Sequence, residues 1–496
     1  MPFPKRRHDS RKGSHSIESD WLHFSIGFPL LDNIRLRNFK SWHDTGPIRL
    51  APITAFFGTN SSGKTSLLQS MLLLRQTTES PDRNRVLDLG GGRSSLVDLG
   101  TAKDIFHANK DGEDLEVELS WSRTSAIQVR DLLKQAKKKS STILSSTSMT
   151  VATAINVEAE KLVVQKITYK LGDSAFSMSR REDRKGYELT SDDFEFVRST
   201  GRVWPLPAPA RFYGFPDQVR LYYQNAAFLS DLEVAFEDAC SKIRYLGPLR
   251  DDPKRHYVYS GAGQSDVGRR GEFAVDALVS ARISDTRVSR GYGNGKSRRK
   301  LPGISIEQLV AEWLRELGLI DSFDVDALDD RKTLYRIRVR RSPDSPSVML
   351  TDVGFGVSQI LPVLVLLAVA SEGDTIVLQQ PEIHLHPAVQ SGLADIILET
   401  ALVRNVQIIL ESHSEHLLSR LQRRIAETKL PKNVEVKAKD VALYFCSYGS
   451  QSSHIEELKI DDLGNIRNWP TDFFGNPMED SVAMLQAAAS RSSAQR

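Results

Sequence analysis

The stretch Gly58-Thr-Asn-Ser-Ser-Gly-Lys-Thr65 constrains this chain more than any other, because it fits the pattern G-x-x-x-x-G-K-[ST] in the right setting. The run before it, Ile53-Thr-Ala-Phe-Phe57, reads as a buried strand, and SLLQSMLLLR at 66–75 reads as a strongly apolar helix. Glycines at 58 and 63 let backbone N–H groups turn toward phosphate oxygens, and the positive end of the following helix adds to the attraction. Lys64 is expected to meet the β- and γ-phosphates of a nucleoside triphosphate, and the Thr65 hydroxyl to ligate Mg²⁺. Asn60, Ser61, Ser62 and Ser66 complete the expected nucleotide-binding set with Gly58 and Gly63. The fold class this predicts is α/β.

With 496 residues the chain exceeds what one compact core usually needs, so several lobes are expected. Its 40% hydrophobic and 26% charged residues describe a soluble globular protein. A net charge of +3 leaves any nucleic-acid contact to local patches. Two cysteines far apart in sequence, Cys240 and Cys446, argue against a disulfide scaffold and for a reducing cytoplasm. The longest apolar run, around Leu361–Ala370, is too short to span a bilayer, so no membrane association is expected. The N-terminal MPFPKRRHDSRKGSH is basic with no apolar stretch behind it, and reads as a disordered tail.

Strands are predicted at Ile34–Phe39, Ile48–Leu50, Leu115–Trp121 and Lys161–Leu171. Leu132–Thr153 opens as LLKQAKKKSST and reads as a charged helix running into a mobile Ser/Thr loop, with a polyanion-binding surface as the alternative. Residues 203–216, rich in proline, read as a linker or irregular loop, and 304–318 as an amphipathic helix stopped by Gly318.

A phosphate loop needs a second strand to supply the metal and the attacking water. The best candidate is Thr375–Leu378, which runs into Gln379-Gln-Pro-Glu-Ile-His-Leu-His-Pro387 and follows TDVGFGVSQILPV at 351–363. The 358 − 64 = 294 positions from Lys64 to Ser358 argue against a compact GTPase and suit a head split by insertions.

In order along the chain, IRLRNFKSW (34–42), GTNSSGKTS (58–66), YLGPLR (245–250), VGRRGE (267–272), DVGFGVSQILPV (352–363), QQPEIHLHP (379–387), ESHSEHLL (411–418) and NWPTDFFG (468–475) resemble an ABC-type ATPase of the RecF/SMC/OLD superfamily. Within it they look like the AAA-family ATPase branch with an HLHP motif. That resemblance implies an ABC-type P-loop head with split lobes and an inserted, partly helical arm region. It implies a basic tail (1–30), an N-terminal lobe with the phosphate loop (31–125), inserted strands, loops and a basic segment (126–240), and a helical or arm insertion with a basic loop (241–345). A C-terminal lobe (346–476) with signature, Walker B strand and switch histidine follows, then a flexible tail (477–496). ATP and Mg²⁺ are the implied cofactors. Gly354, Gly356, Ser358 and Gln359 match the signature turn, which in the superfamily grips the γ-phosphate held by the opposite subunit, so a homodimer or higher homo-oligomer is implied. His413 matches the γ-phosphate-sensing histidine.

In the usual order an acid at 379 would hold Mg²⁺ through water and an acid at 380 would polarise the attacking water. Here both are glutamines. An amide accepts a hydrogen bond but takes no proton, so Gln380 is a poor general base, whereas Gln379 can still orient a metal-bound water. Glu382 is the nearest acid and Glu411 a second candidate. Three readings stay open: Glu382 has taken over catalysis, turnover is slow and acts as a timer, or ATP only locks a dimer. His384 and His386 form an H-x-H pair that raises zinc, but they fit the D-loop position implied by the resemblance better.

Two regions are basic. RGYGNGKSRRK at 290–300 carries Arg290, Lys296, Arg298, Arg299 and Lys300. LYRIRVRR at 334–341 places Arg336, Arg338 and Arg340 on one strand face, opposite Tyr335, Ile337 and Val339. Both read as solvated charge or as a DNA backbone track. The 496 − 413 = 83 residues after His413 are too few for the Toprim nuclease of OLD-type relatives, so a DNA-cutting activity would belong to another chain. Proteins resembling this one occur in bacterial anti-phage operons beside a small nuclease, as in the Septu system. The expected function is therefore an ATPase regulating a DNA-directed effector. A stand-alone RecF-like repair ATPase and a non-hydrolytic scaffold are the alternatives.

Overall fold

The computed structural model describes residues 30–92, 95–109, 112–130, 142–183, 185–201, 204–261, 266–288, 302–430 and 434–470, and a few single positions beyond, Phe473 among them. The tail 1–29, most of 471–496, and the basic residues Arg290, Lys296, Arg298, Arg299 and Lys300 lie outside the described residues.

The centre is a six-stranded sheet ordered Ile243–Leu246, Thr375–Gln379, Gln407–Glu411, Ile53–Gly58, Val441–Tyr448, Ser453–Glu457. The first five strands are mutually parallel and the last is an antiparallel edge. Strands buried on both faces need continuous apolar runs, which ITAFF, TIVL and QIIL supply. Alternate residues of each strand then enter different cores. Ile53, Ala55, Phe57, Ile376, Leu378, Ile408 and Leu410 face one layer. Helices Ala274–Ile283, Ile306–Glu316, Phe355–Val369, Pro387–Arg404 and Glu415–Glu427 build that layer. Phe56, Val377, Ile409, Ala442 and Tyr444 face the other, which they share with the phosphate-loop helix Lys64–Glu79 and an eight-stranded antiparallel sheet. The α/β class and the split P-loop head read from the sequence are thus the architecture found.

Of the helix and loop predicted at Leu132–Thr153, the loop is corrected, and the charged helix falls outside the described residues. Residues 131–141 lie outside the described set, and Thr142–Glu158 is a 17-residue strand between Leu115–Arg130 and Lys161–Leu171. Its threonines are β-branched and fit a pleated surface, and Met149, Val151, Thr153 and Ile155 alternate into the core. The amphipathic helix starts with a capping box, Ser305 bonding the Gln308 N–H and the Gln308 side chain the Ser305 N–H, and Gly318 follows its end at φ +67°. A smaller sheet carries Leu334–Arg340 between Tyr257–Val258 and Ser322–Ala327. Among the described residues no helix is long and apolar enough to cross a membrane.

Candidate active site

The carboxyl ends of the parallel strands converge on one cleft of about 380 Å³, the place where open α/β sheets bind ligands. The loop from Asn60 to Ser66 lines it together with Gln380, Glu411 and His413 and with Lys40 and Ser41. Lys64 crosses its own loop: Nζ donates to the carbonyls of Thr59 at 2.6 Å and Gly58 at 3.0 Å, which fixes the ammonium facing the cleft. Burial lowers its pKa, while the Glu411 carboxylate supports the charged form.

Two glycines in the loop have no substitute. A Cβ on Gly58 (φ +136°) would lie 1.9 Å from the Cys446 carbonyl oxygen of the neighbouring strand. One on Gly63 (φ +90°) would lie 2.6 Å from Ser41 Oγ, 2.7 Å from Ser453 Oγ and 2.9 Å from Trp42 Cε2. Trp42 Nε1 donates to the Gly63 carbonyl at 3.2 Å and so ties the Phe39–Trp42 hairpin turn to the phosphate loop. That turn carries Lys40 and Ser41 to the cleft. Neither was singled out as a site residue from the sequence. The positive φ of Asn38 and Lys40 sits on residues other than glycine, so no turn glycine marked the spot.

The acids fall differently from the expectation. Thr65 Oγ1 donates to Glu411, 2.9 Å from Oε2 and 3.1 Å from Oε1. Burial pushes the Glu411 carboxyl up, while Thr65, Lys64 and Gln379 pull it down. Gln379 pairs with Glu411 in register, but its side chain is buried and does not line the cleft. Gln379 Oε1 accepts from Tyr245 Oη at 2.6 Å, and Nε2 points to Glu411 Oε2 at 3.5 Å. The amide oxygen expected to orient a metal-bound water thus spends one lone pair on Tyr245 and lies off the cleft lining.

Glu382 is likewise off the cleft. Its Oε1 accepts from Ser412 Oγ at 2.8 Å and from the His413 N–H at 2.7 Å, so it holds the turn that presents His413. In this arrangement Glu382, expected as a candidate to meet the attacking water, is bonded to the Ser412–His413 turn and does not line the cleft. Burial raises its pKa. Arg250 lies in its field: Nη2 donates to the Gln379 carbonyl at 3.3 Å, and burial pulls the guanidinium down to about 10. Among the described residues, Arg250 Nε and Nη1 and Glu382 Oε2 have no hydrogen-bond partner. Gln380 sits at φ +44°, its N–H donating to the Glu411 carbonyl at 2.9 Å, and it reaches the cleft with a neutral amide.

The turn that the sequence resemblance matched to a signature does not share this cleft. Gly356, Ser358 and Gln359 begin helix Phe355–Val369, and none of them lines it. Ser358 Oγ donates to the Phe355 carbonyl at 2.8 Å, and the buried Gln359 amide nitrogen has no partner among the described residues. The Phe355 ring packs edge-on against His384, 5.1 Å between centroids. His386 caps helix Pro387–Arg404 by accepting from the Ala388 N–H at 3.3 Å. No group of three or more metal-ligating side chains occurs among the described residues.

Arg336 and Arg338 both approach Asp326 Oδ2, at 3.4 and 2.5 Å, so one carboxylate offsets two of the three strand arginines. Arg340 is exposed.

Residues 30–195 and 303–418 match the family described as AAA ATPase domain, and the chain belongs to that family. Residues 436–483 match a second family, described as protein of unknown function (DUF3696). No curated protein matches. Among solved structures, an SmcHead bound to the C-winged helix domain of ScpA is 12% identical, covers 86% of this chain and 97% of its own, and has a TM-score of 0.42. The SMC head domain from Thermotoga maritima is 11% identical, with 87% and 99% covered and a TM-score of 0.37. An Smc head with an extended coiled coil, bound to the C-terminal domain of ScpA and derived from Pyrococcus furiosus, is 11% identical, with 93% and 100% covered and a TM-score of 0.40.

Proposed function

We propose that this chain is an ATP-binding, slowly hydrolysing ATPase whose heads pair across the nucleotide and regulate a separate DNA-directed effector, a nuclease of anti-phage defence. The observation that supports the nucleotide reading is the convergence of Lys64, Thr65, Gln380, Glu411 and His413 on one cleft. Lys64 and the loop N–H groups bind phosphate, and Thr65 offers a hydroxyl oxygen beside a carboxylate, a hard donor pair suited to Mg²⁺. Magnesium bound there would neutralise charge on the transferring phosphoryl group. Gln380 orients water by hydrogen bonding and leaves it without a base, which makes turnover slow. Glu382 positions His413.

Pairing of heads is supported by the separation of Ser358 from its own chain's cleft, since a signature turn that grips phosphate must then serve another copy. Ser358→Arg should leave ATP binding to one head largely intact and block turnover, whereas Lys64→Ala removes binding. A mixture of the two gives heterodimers with one composite site carrying both defects and one carrying neither. Recovered ATPase activity supports the shared site. A mixture as inactive as its parents, with heterodimers shown to form, refutes it. Co-purification with operon neighbours tests the effector.

A further inference from the structure

We propose that Glu411, on the strand beside the one expected to supply it, is the protein carboxylate of the magnesium site, with Gln379 as its tether. The inference rests on the ATP-binding reading above and concerns which side chain serves the metal.

Three observations carry it. Glu411 is the sole acid lining the cleft among the described residues. Both its oxygens lie within hydrogen-bond reach of Thr65 Oγ1, whose single proton they share. Gln379 and Glu411 are register partners on adjacent parallel strands, so moving the acid from one to the other displaces its backbone by about 5 Å, and the extra methylene of glutamate over aspartate shortens the way back.

The Gln379 amide is turned by its partners. Tyr245 Oη donates and needs an acceptor, while Glu411 accepts and needs a donor, so only one amide orientation serves both. A second carboxylate at 379 would face Glu411 across the strand pair at close range, and like charges there oppose each other. Glutamine at 379 is thus what an acid at 411 requires. With a single carboxylate and one hydroxyl, the protein holds too few ligands to bind Mg²⁺ alone. Phosphate oxygens and water must complete the shell, so metal and nucleotide should bind together.

The test uses the full chain, Mn²⁺ read by electron paramagnetic resonance, and a non-hydrolysable ATP analogue, with fluorescent-ATP binding in EDTA measured alongside. In the wild type, Mn²⁺ should bind tightly only with the analogue present. Glu411→Gln should weaken that Mn²⁺ binding at least tenfold while metal-free ATP affinity changes less than threefold. Gln379→Asp combined with Glu411→Gln, which returns the acid to the neighbouring strand, should recover most of the loss. Glu411→Asp keeps the charge but withdraws it by one methylene, and serves if the glutamine variant does not fold. It should cost at least threefold. Unchanged Mn²⁺ binding in Glu411→Gln or Glu411→Asp, or a double variant no better than Glu411→Gln, overturns the assignment. Failure of the wild type to bind ATP both in EDTA and with Mn²⁺ present instead overturns the nucleotide reading itself.

Discussion

Replacing Glu382 separates a positioning carboxylate from a catalytic base. Oε1 accepts two bonds, from Ser412 Oγ and the His413 N–H. Bonds to a charged acceptor contribute about 1.5–3 kcal/mol each and neutral ones about 0.5–1.5. Glu382→Gln keeps an oxygen in place, so it gives up about 2–3 kcal/mol over the two bonds and regains about 1 from no longer burying a charge. The net destabilisation expected is about 1–2 kcal/mol. Glu382→Ala strands a buried hydroxyl and a backbone N–H and should cost about 3–5 kcal/mol. Denaturant unfolding followed by tryptophan fluorescence reads the stability, and a steady-state phosphate-release assay reads turnover. For a positioning residue, Glu382→Gln should lower kcat by roughly tenfold or less with ATP affinity within threefold, because His413 is held less firmly but remains. A fall of about 10²-fold or more in kcat at unchanged ATP affinity is the signature of a lost general base and would refute the positioning role.

Gly63→Ala should abolish ATP binding: left-handed backbone costs a side-chain residue about 1–2 kcal/mol, and the new methyl pushes the Ser41 hairpin off the loop. Near-normal affinity in a fluorescent-ATP titration would contradict this. Lys40→Ala should weaken ATP affinity about three- to tenfold, since Lys40 lines the cleft and its ammonium would offset phosphate charge there; unchanged affinity would remove it from the site. Burial pushes the Glu233 carboxyl up to about 7, against the Phe215 N–H and Arg220. The folded chain therefore holds a proton there that the unfolded chain has lost above about pH 4.5, and stability falls as pH rises from about 4.5 to 7. Glu233→Gln should flatten that decline in calorimetric scans at pH 5 and 8, and equal declines would count against it. Alanine at Arg298, Arg299 and Lys300 together should flatten the salt dependence of DNA binding, by roughly one counterion per lost phosphate contact; an equal slope leaves them as solubilising charge.

The core of this architecture was legible because its signals are local. The phosphate loop announces itself by glycine spacing between an apolar strand and an apolar helix, and the parallel strands by apolar runs too short for helices. Residues 142–153 read as loop in the sequence and are strand in the fold, because serine and threonine serve loops and pleated strands alike and only pairing partners decide between them. At the site, sequence spacing could place Gln379, Gln380 and Glu382 near the strand ends but could not say which way each side chain turned. Glu382 faces the Ser412–His413 turn and Gln379 faces Tyr245, contacts across 31 and 134 positions in sequence. Lys40 and Ser41 reach the cleft only because Trp42 anchors their hairpin to the Gly63 carbonyl, another long-range bond.

The central claim is that the Gly58–Thr65 loop is an ATP site whose Lys64 ammonium offsets phosphate charge. Calorimetric titration of ATP into the wild type and into Lys64→Ala tests it directly. The account predicts one nucleotide per chain for the wild type and an affinity at least about 100-fold lower for the variant, the loss of a charge-assisted contact of about 3 kcal/mol. Equal affinities in two folded proteins would contradict it.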